Sequence, residues 1–228
     1  MMKLLVRLFG LLIVGGGLAA AWYGFETDSQ IRSWEHRVKM TNPIETPDWS
    51  TIPAPVDDGA TRHLVGMSVA SVPLAATDGT VVDLSVLPGR VVVYAYPRTG
   101  RPGVESPVGW DMIPGARGCT PQSCSFRDHF AELKALGVNK LFGLSTQDTA
   151  YQSEAAARLH LPFSLLSDES LRFASAMRLP IFEVEGMKLL KRLTLILKEG
   201  SVEHVFYPVF PPDRATDDVL AWLRANPV

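Results

Sequence analysis

The sequence predicts an open α/β domain in which a mixed β-sheet is flanked by helices, and two observations support this prediction. Beyond about residue 62, short apolar runs of strand character alternate with helical segments, a pattern typical of parallel strands connected by helices. Near the carboxyl end, two strand-like runs are joined directly by Glu199-Gly200-Ser201, which indicates an antiparallel hairpin. We therefore expect a parallel centre with an antiparallel hairpin at its edge.

The clearest strand prediction falls on residues 91–96. This run is apolar, rich in β-branched and aromatic residues and bounded by Gly89 and Pro97, so it predicts a central strand covered on both faces. The other predicted elements are a hairpin of residues 72–74 and 81–84, a helix that follows Cys119 and stops at Gly137, a strand at 141–144, a helix at 152–159, a strand at 163–166, a helix at 169–177, the hairpin of 193–197 and 202–209, and a closing helix at 217–223.

Composition excludes several classes of protein. The 228 residues carry 22 basic and 24 acidic side chains without a long basic run, so we expect no nucleic-acid partner. The chain contains only two cysteines, Cys119 and Cys124, which excludes a disulfide-rich mini-protein and a four-cysteine zinc module. We predict neither a metal nor a cofactor.

The first 25 residues predict a membrane anchor or a secretory signal. Lys3 and Arg7 precede an uncharged stretch that is long enough to cross the hydrocarbon layer as a helix. Because these basic residues lie before the stretch, the positive-inside rule places the domain outside, on the periplasmic side of a bacterial inner membrane. The run Ala19-Ala20-Ala21 also fits a signal cleavage site, whereas translation from Met40 would give a cytoplasmic domain without this segment.

Residues 26–61 predict a tether. The stretch is polar and contains four prolines within residues 43–55, a composition typical of a semi-rigid spacer rather than of a packed element. The domain itself is predicted to span residues 62–228.

The two cysteines are expected to differ chemically. A cysteine acts as a nucleophile in its thiolate form, and free helix N–H groups and nearby cations stabilise that form. With Thr120 as the predicted helix cap, Cys119 stands just ahead of the helix with Arg117 close by in sequence, whereas Cys124 lies inside the helix. The sequence therefore predicts that Cys119 is the more reactive thiol.

A disulfide between these cysteines would require a change of fold. If residues 119–124 formed one regular helix, the two side chains would point roughly 140° apart around the helix axis. A disulfide also needs Cα atoms within about 4.4–6.8 Å. Bonding therefore requires the first turn to unwind or Cys119 to lie outside it. A permanent structural disulfide, which would contribute about 2 kcal/mol for so short a loop, is the alternative interpretation.

The cysteine segment resembles the signature of the Q-type (bacterioferritin comigratory protein) peroxiredoxins. That signature joins Gly-Cys-Thr to a second cysteine five positions after the first and to Phe-Arg-Asp. The matching segments of this chain, which together cover about residues 62–226, are Gly118-Cys119-Thr120-Pro121-Gln122-Ser123-Cys124-Ser125-Phe126-Arg127-Asp128, Val93-Tyr94-Ala95-Tyr96-Pro97, Leu165-Leu166-Ser167-Asp168, Lys191-Arg192-Leu193-Thr194-Leu195-Ile196 and Val202-Glu203-His204-Val205-Phe206. The resemblance implies a thioredoxin-like fold of the AhpC/TSA-redoxin superfamily.

The resemblance also implies roles for three residues. Cys119 would be the peroxidatic cysteine that attacks hydrogen peroxide or an organic hydroperoxide and becomes a sulfenic acid. Cys124 would be the resolving cysteine that forms an intramolecular disulfide with it, and Arg192 would stabilise the thiolate and the peroxide. A thioredoxin-like protein would be the reductant.

The sequence departs from the family pattern just before the cysteine. Ala116 and Met112 stand where the family usually has threonine and proline, and residues 100–114 form an extra stretch between the Tyr-Pro strand end and Cys119. Thr99 is the tentative substitute for the missing hydroxyl if this stretch loops out. Three apolar residues of the region either shape a pocket for an organic peroxide or pin the loop to the domain: Trp110, Met112 and Ile113.

Two other functions fit parts of the same pattern. A membrane-tethered thiol–disulfide oxidoreductase would share the anchor and the fold, but such proteins usually carry Cys-x-x-Cys, which this chain lacks. A copper-binding protein of the SCO type would also be tethered and would use two cysteines with a distant histidine, for which His204 is the counterpart here. That family spaces its cysteines by three residues, and His204 lies inside an apolar strand segment. His129 is interpreted as a solvated side chain.

Overall fold

The computed structural model describes residues 47–228. The predicted anchor or signal segment, residues 1–25, and the first part of the predicted tether, residues 26–46, lie outside the described residues. Within the described part of the chain, no helix has the length and apolar character needed to span a membrane.

The fold is an α/β domain built on a seven-stranded mixed sheet. The strands in chain order are β1 (Pro73–Ala76), β2 (Val81–Asp83), β3 (Arg90–Ala95), β4 (Val138–Ser145), β5 (Leu165–Ser167), β6 (Ile181–Val184), β7 (Met187–Leu190), β8 (Leu193–Lys198) and β9 (Ser201–Phe206). The helices are α1 (Cys119–Asp128), α2 (Phe130–Ala135), α3 (Thr149–Arg158), α4 (Arg172–Met177) and α5 (Ala215–Ala225). The strand order is β2-β1-β5-β4-β3-β8-β9, while β6 and β7 pair separately.

The mixed character of the sheet agrees with the prediction. Strands β3, β4 and β5 are parallel, and the β8–β9 hairpin pairs antiparallel to β3. All six residues of β3 are buried, as expected for a strand covered on both faces. The middle position of the sheet belongs to β4, however, and β3 is its neighbour.

Two local features differ from the prediction. The helix that follows Cys119 is broken at His129, whose backbone leaves the helical conformation between α1 and α2. The β6–β7 hairpin was not predicted, although Glu185 and Gly186 both adopt the positive φ angles that a tight hairpin turn requires.

The core lies on both faces of the sheet. On one face, buried side chains of the strands pack against α4, with Phe173 and Met177 fully covered. On the other face they pack against the remaining four helices, where Phe126 of α1 stacks on Tyr94 of β3 with ring centroids 4.4 Å apart. This stack fixes the position of α1, and with it Cys119, on the sheet.

The second part of the predicted tether packs on the domain instead of standing free. We call residues 47–61 the strap. Near its start, a single 3-10 turn places the Trp49 ring against Phe210, with centroids 6.0 Å apart. Near its end, Asp58 accepts hydrogen bonds from Lys191 at 2.7 Å and from the Tyr207 hydroxyl at 2.9 Å. Aromatic packing and an ion pair therefore hold residues whose composition alone indicated a spacer.

Removal of the Phe126 ring, which fixes α1 on the sheet, is expected to lower the stability of the whole domain. Phe126→Ala removes a fully buried ring and leaves a cavity under α1, so the free energy of unfolding should fall by about 3–5 kcal/mol. Urea unfolding followed by circular dichroism measures the change. Val86→Ala, at a side chain that is 74% exposed, is the matched control and should change little. Equal effects of the two substitutions would contradict the packing described.

Candidate active site

Cys119 is the first residue of helix α1. The helix cap is Gly118, with φ 102°, rather than Thr120 as the sequence predicted, and the Gly118 carbonyl accepts the first helical hydrogen bond from the Gln122 N–H at 3.0 Å. Glycine adopts this backbone conformation without the steric cost that threonine would pay. Cys119 therefore lies within the first turn, where helix N–H groups lack carbonyl partners.

Close packing around Gly118 also excludes any larger residue. A Cβ atom placed there would lie 2.6 Å from Pro212 Cγ and 2.7 Å from Trp49 Cη2. The strap and the turn at residues 212–214 therefore pack directly against the backbone that precedes Cys119.

Arg192 lies beside Cys119, although the two residues are distant in sequence. It stands between β7 and β8, where the start of β8 pairs with the end of β3, and it is 2% exposed. Its Nη2 donates to the Ala116 carbonyl at 3.3 Å and to the Arg117 carbonyl at 3.1 Å, and it lies 3.3 Å from Cys119 Sγ. A fixed guanidinium at this distance stabilises negative charge on sulfur, because little water screens the pair.

Gln122 holds the other side of the guanidinium. Its Oε1 accepts a hydrogen bond from Arg192 Nη1, and its side chain is fully buried. Gln122 was not among the site residues predicted from the sequence. The available signal was its position three residues after Cys119, which places the two side chains on one face of a helix.

Cys124 sits in the same regular helix, and both cysteines are free thiols. Five helical residues separate the two positions by a rise of roughly 7.5 Å and an angle of roughly 140°, so the sulfurs cannot bond in this conformation. Burial raises the pKa of the Cys124 thiol. The helix therefore presents one sulfur to Arg192 and keeps the other protonated and apart.

Thr99, the tentative substitute for the missing threonine hydroxyl, forms hydrogen bonds with Gln147. Its backbone N–H and its hydroxyl donate to Gln147 Oε1 at 2.8 and 3.2 Å, and Gln147 returns a bond to the Thr99 carbonyl at 3.1 Å. The threonine is fully buried, while its neighbours Arg98 and Gly100 line the cleft that contains Cys119. Its hydroxyl thus joins two loops at the edge of the site.

The extra stretch, residues 100–114, is pinned to the β6–β7 hairpin. Trp110 is 8% exposed and packs against Phe182 of β6 with centroids 6.2 Å apart, and Ile113 joins the same cluster. Met112, in contrast, is 69% exposed. Two of the three apolar residues therefore fix the loop, and Trp110 in addition forms part of the wall beside Cys119.

Cys119 opens to an exposed cleft of about 210 Å³. Its wall combines apolar and basic side chains, namely Pro47, Arg98, Trp110, Arg117 and Pro121. A larger groove of about 440 Å³ lies between Arg98 and the β6–β7 hairpin, but neither cysteine lines it. We assign the site to the smaller cleft because it contains the nucleophile.

The side chains of His204 and His129 make contacts within the fold and do not line the cleft. His204 of β9 stacks on Trp222 of α5 at 5.0 Å, and burial lowers its pKa. The His129 ring nitrogen lies 2.9 Å from the Ser125 carbonyl, at the break between α1 and α2. Among residues 47–228, no group of three or more histidine, cysteine or acidic side chains is arranged to hold a metal ion.

The fold and the site together define a class of protein. It is a thioredoxin-like α/β domain in which a cysteine begins the first helix and a buried arginine from a distant part of the chain contacts that cysteine. Residues 60–221 match the family model described as Redoxin. Peroxiredoxin Bcp of Escherichia coli strain K12 is 35% identical over 159 residues, which is 65% of this chain and 88% of that protein. The chain therefore belongs to the Redoxin family.

Other relatives carry the same class of name. Chloroplastic peroxiredoxin Q of Oryza sativa subsp. japonica is 30% identical over 161 residues, which is 70% of this chain but 66% of the rice protein's length. The crystal structure of peroxidoxin BcpB from Mycobacterium tuberculosis superposes with a TM-score of 0.59 at 27% identity, over 72% of this chain and 99% of that one. Within the Redoxin family, the chain falls in the peroxiredoxin Q (Bcp) class.

Replacing Arg192 by lysine should impair the site although the charge is kept. Lysine cannot hold two carbonyls, Gln122 and the sulfur at once, so we expect the reaction of Cys119 with hydrogen peroxide to slow by about 10²–10³-fold. Single-turnover stopped-flow measurements of peroxide loss test this. Arg224→Lys is the control, since Arg224 is exposed, pairs with Glu132 and does not line the cleft, and should stay within about twofold of the wild-type rate. A wild-type rate in Arg192→Lys would contradict the geometry.

The two thiols should react with an alkylating reagent at different rates. Near pH 7, iodoacetamide should modify Cys119 before Cys124, because Cys119 lines the cleft and contacts Arg192, whereas burial raises the pKa of the Cys124 thiol. Peptide mass spectrometry at short reaction times gives the order. Faster modification of Cys124 would refute the assignment of the nucleophile.

Proposed function

We propose that this chain reduces hydrogen peroxide and organic hydroperoxides, with Cys119 as the peroxidatic thiol and Cys124 as the resolving thiol. The proposal rests on one observation: the Arg192 guanidinium lies 3.3 Å from Cys119 Sγ. Cys119 is at the start of α1 and lines an open cleft. Such a donor both stabilises the thiolate and polarises a bound peroxide oxygen.

In the first step the Cys119 thiolate attacks the terminal peroxide oxygen. An S–O bond forms as the O–O bond breaks, and water or an alcohol leaves after taking up a proton. The sulfur is oxidised to a sulfenic acid and the peroxide is reduced. Negative charge passes from the thiolate sulfur to the leaving oxygen, and Arg192 stabilises it by donating hydrogen bonds to these atoms. Trp110 and Pro47 give the cleft the apolar surface that an organic peroxide requires.

In the second step the Cys124 thiol attacks the sulfenic sulfur. An S–S bond forms, the hydroxyl leaves as water, and both cysteines end as an intramolecular disulfide. The helical distance between the residues requires the first turn of α1 to unwind before this bond forms. If unwinding extends to Cys124, it also removes the burial that raises the pKa of this thiol.

In the third step an external dithiol restores both cysteines. Its first thiolate attacks the disulfide to give a mixed disulfide, and its second thiol releases the reduced chain. A thioredoxin-like protein supplies such a dithiol, and we propose it as the physiological reductant.

We also propose that residues 1–25 attach the chain to a bacterial inner membrane, with the domain on the periplasmic side. Support comes from Lys3 and Arg7 ahead of the uncharged stretch. After cell fractionation, the full-length chain should stay with the membrane pellet through alkaline carbonate washing, whereas a chain that begins at Met40 should be released. Full recovery of the full-length chain in the soluble cytoplasmic fraction would contradict the proposal.

Cysteine substitutions test the assigned roles. Cys119→Ser should lower peroxide consumption by at least about 10³-fold, because the nucleophile is lost. Cys124→Ser should consume one equivalent of peroxide and then stop in the presence of thioredoxin, leaving a sulfenic acid that dimedone labels on Cys119. The wild-type chain should lose two thiols per peroxide in the absence of reductant. Sustained turnover by Cys119→Ser would reject the assignment.

A further inference from the structure

We propose that Trp49 is a positioning residue that holds the first turn of α1 in its helical form and so controls how fast the Cys119–Cys124 disulfide forms. The inference rests on the proposed function and concerns a residue of the strap, far from the cysteines in sequence. It follows from the packing of Trp49 on the backbone that must move.

Gly118 is enclosed by two side chains from distant parts of the chain. The Trp49 ring edge approaches from the strap and Pro212 from the turn that precedes α5, so closely that neither leaves room for a Cβ atom. The next residue is Cys119 itself. The first turn of α1 therefore cannot unwind toward Trp49 while the ring stays in place.

The Trp49 ring is itself well held. Asp48 caps its turn by accepting hydrogen bonds from the Ser50 N–H at 3.0 Å and the Ser50 hydroxyl at 2.7 Å. The ring packs edge-on against Phe210, and its buried Nε1 donates no hydrogen bond within residues 47–228. Packing alone thus places the ring, which means that phenylalanine can reproduce much of the contact.

The far end of the strap is anchored next to the catalytic arginine. Asp58 pairs with Lys191, the residue before Arg192, and this hydrogen bond, together with those from the Ala60 N–H and the Tyr207 hydroxyl, lowers the pKa of Asp58 to about 2. The Asp58 carboxylate is therefore charged and able to pair with Lys191 near neutral pH. The strap is attached on both sides of the site, with Trp49 over the helix start and Asp58 beside the arginine.

This packing sets the balance between two fates of the Cys119 sulfenic acid. Attack by the Cys124 thiol gives the disulfide and water, and it requires the unwound turn. Attack of the sulfenate on a second peroxide gives a sulfinic acid and an alcohol or water, and it needs no unwinding. Tighter packing on the first turn of α1 therefore slows disulfide formation and favours oxidation to the sulfinic acid.

Trp49→Ala in the full-length chain should therefore accelerate a step of the reaction. If unwinding is a rapid equilibrium, raising its small population raises the rate of disulfide formation, by about tenfold for loss of this contact. The fraction of sulfinic acid at high peroxide should fall by a similar factor. Oxidation of Cys119, measured in the Cys124→Ser background, should stay within about twofold because the helical form still dominates; this value also shows that the variant is folded.

Rapid quenching with a thiol-reactive maleimide, followed by mass spectrometry, measures both products. Trp49→Phe should return both values to within about twofold of wild type, and Val56→Ala, at a strap side chain 82% exposed, should not change them. If Trp49→Ala proves unfolded, Trp49→Leu serves for the same measurement. Disulfide formation at or below the wild-type rate in a folded variant would overturn this inference, whereas a wild-type chain that consumes no peroxide would overturn the proposed function instead.

Discussion

The contact between the Arg192 guanidinium and the Cys119 sulfur is the constraint on which the rest of the site depends. A buried guanidinium is costly unless its donors are paired, and here Nη1 and Nη2 contact two backbone carbonyls, the Gln122 amide oxygen and the sulfur, while Nε has no hydrogen-bond partner within residues 47–228. The arginine stands at the start of β8, whose pairing with β3 fixes its position. The sheet therefore determines where the start of α1 must lie.

The same arrangement brings the two chemical steps into conflict. The helical first turn sets Cys119 against Arg192 for the attack on peroxide, and it also keeps Cys119 away from Cys124. Both steps are possible only if this turn is less stable than the rest of the domain. The start of a helix meets this requirement, because it has fewer hydrogen bonds than the interior, and Phe126 further along α1 stays locked on Tyr94.

Much of the fold could be predicted because its signals are local. The buried run of β3, the Glu199-Gly200-Ser201 turn and the helical spacing after Cys119 each depend on neighbouring residues, and the cysteine segment is distinctive. The Arg192 contact spans 73 residues, and only the family resemblance pointed to it. The cap of α1 is Gly118 rather than Thr120, and the close approach of Trp49 and Pro212, which leaves room only for glycine at that position, involves residues distant in sequence. Packing of the strap depends on partners such as Phe210 that composition does not reveal.

A crystal structure of the reduced full-length chain would show directly where the Arg192 side chain lies. We expect the guanidinium within hydrogen-bonding distance of Cys119 Sγ, with Gln122 on its other side and α1 helical from Cys119 onward. A guanidinium turned away from the sulfur, with Cys119 covered by other side chains, would contradict this expectation.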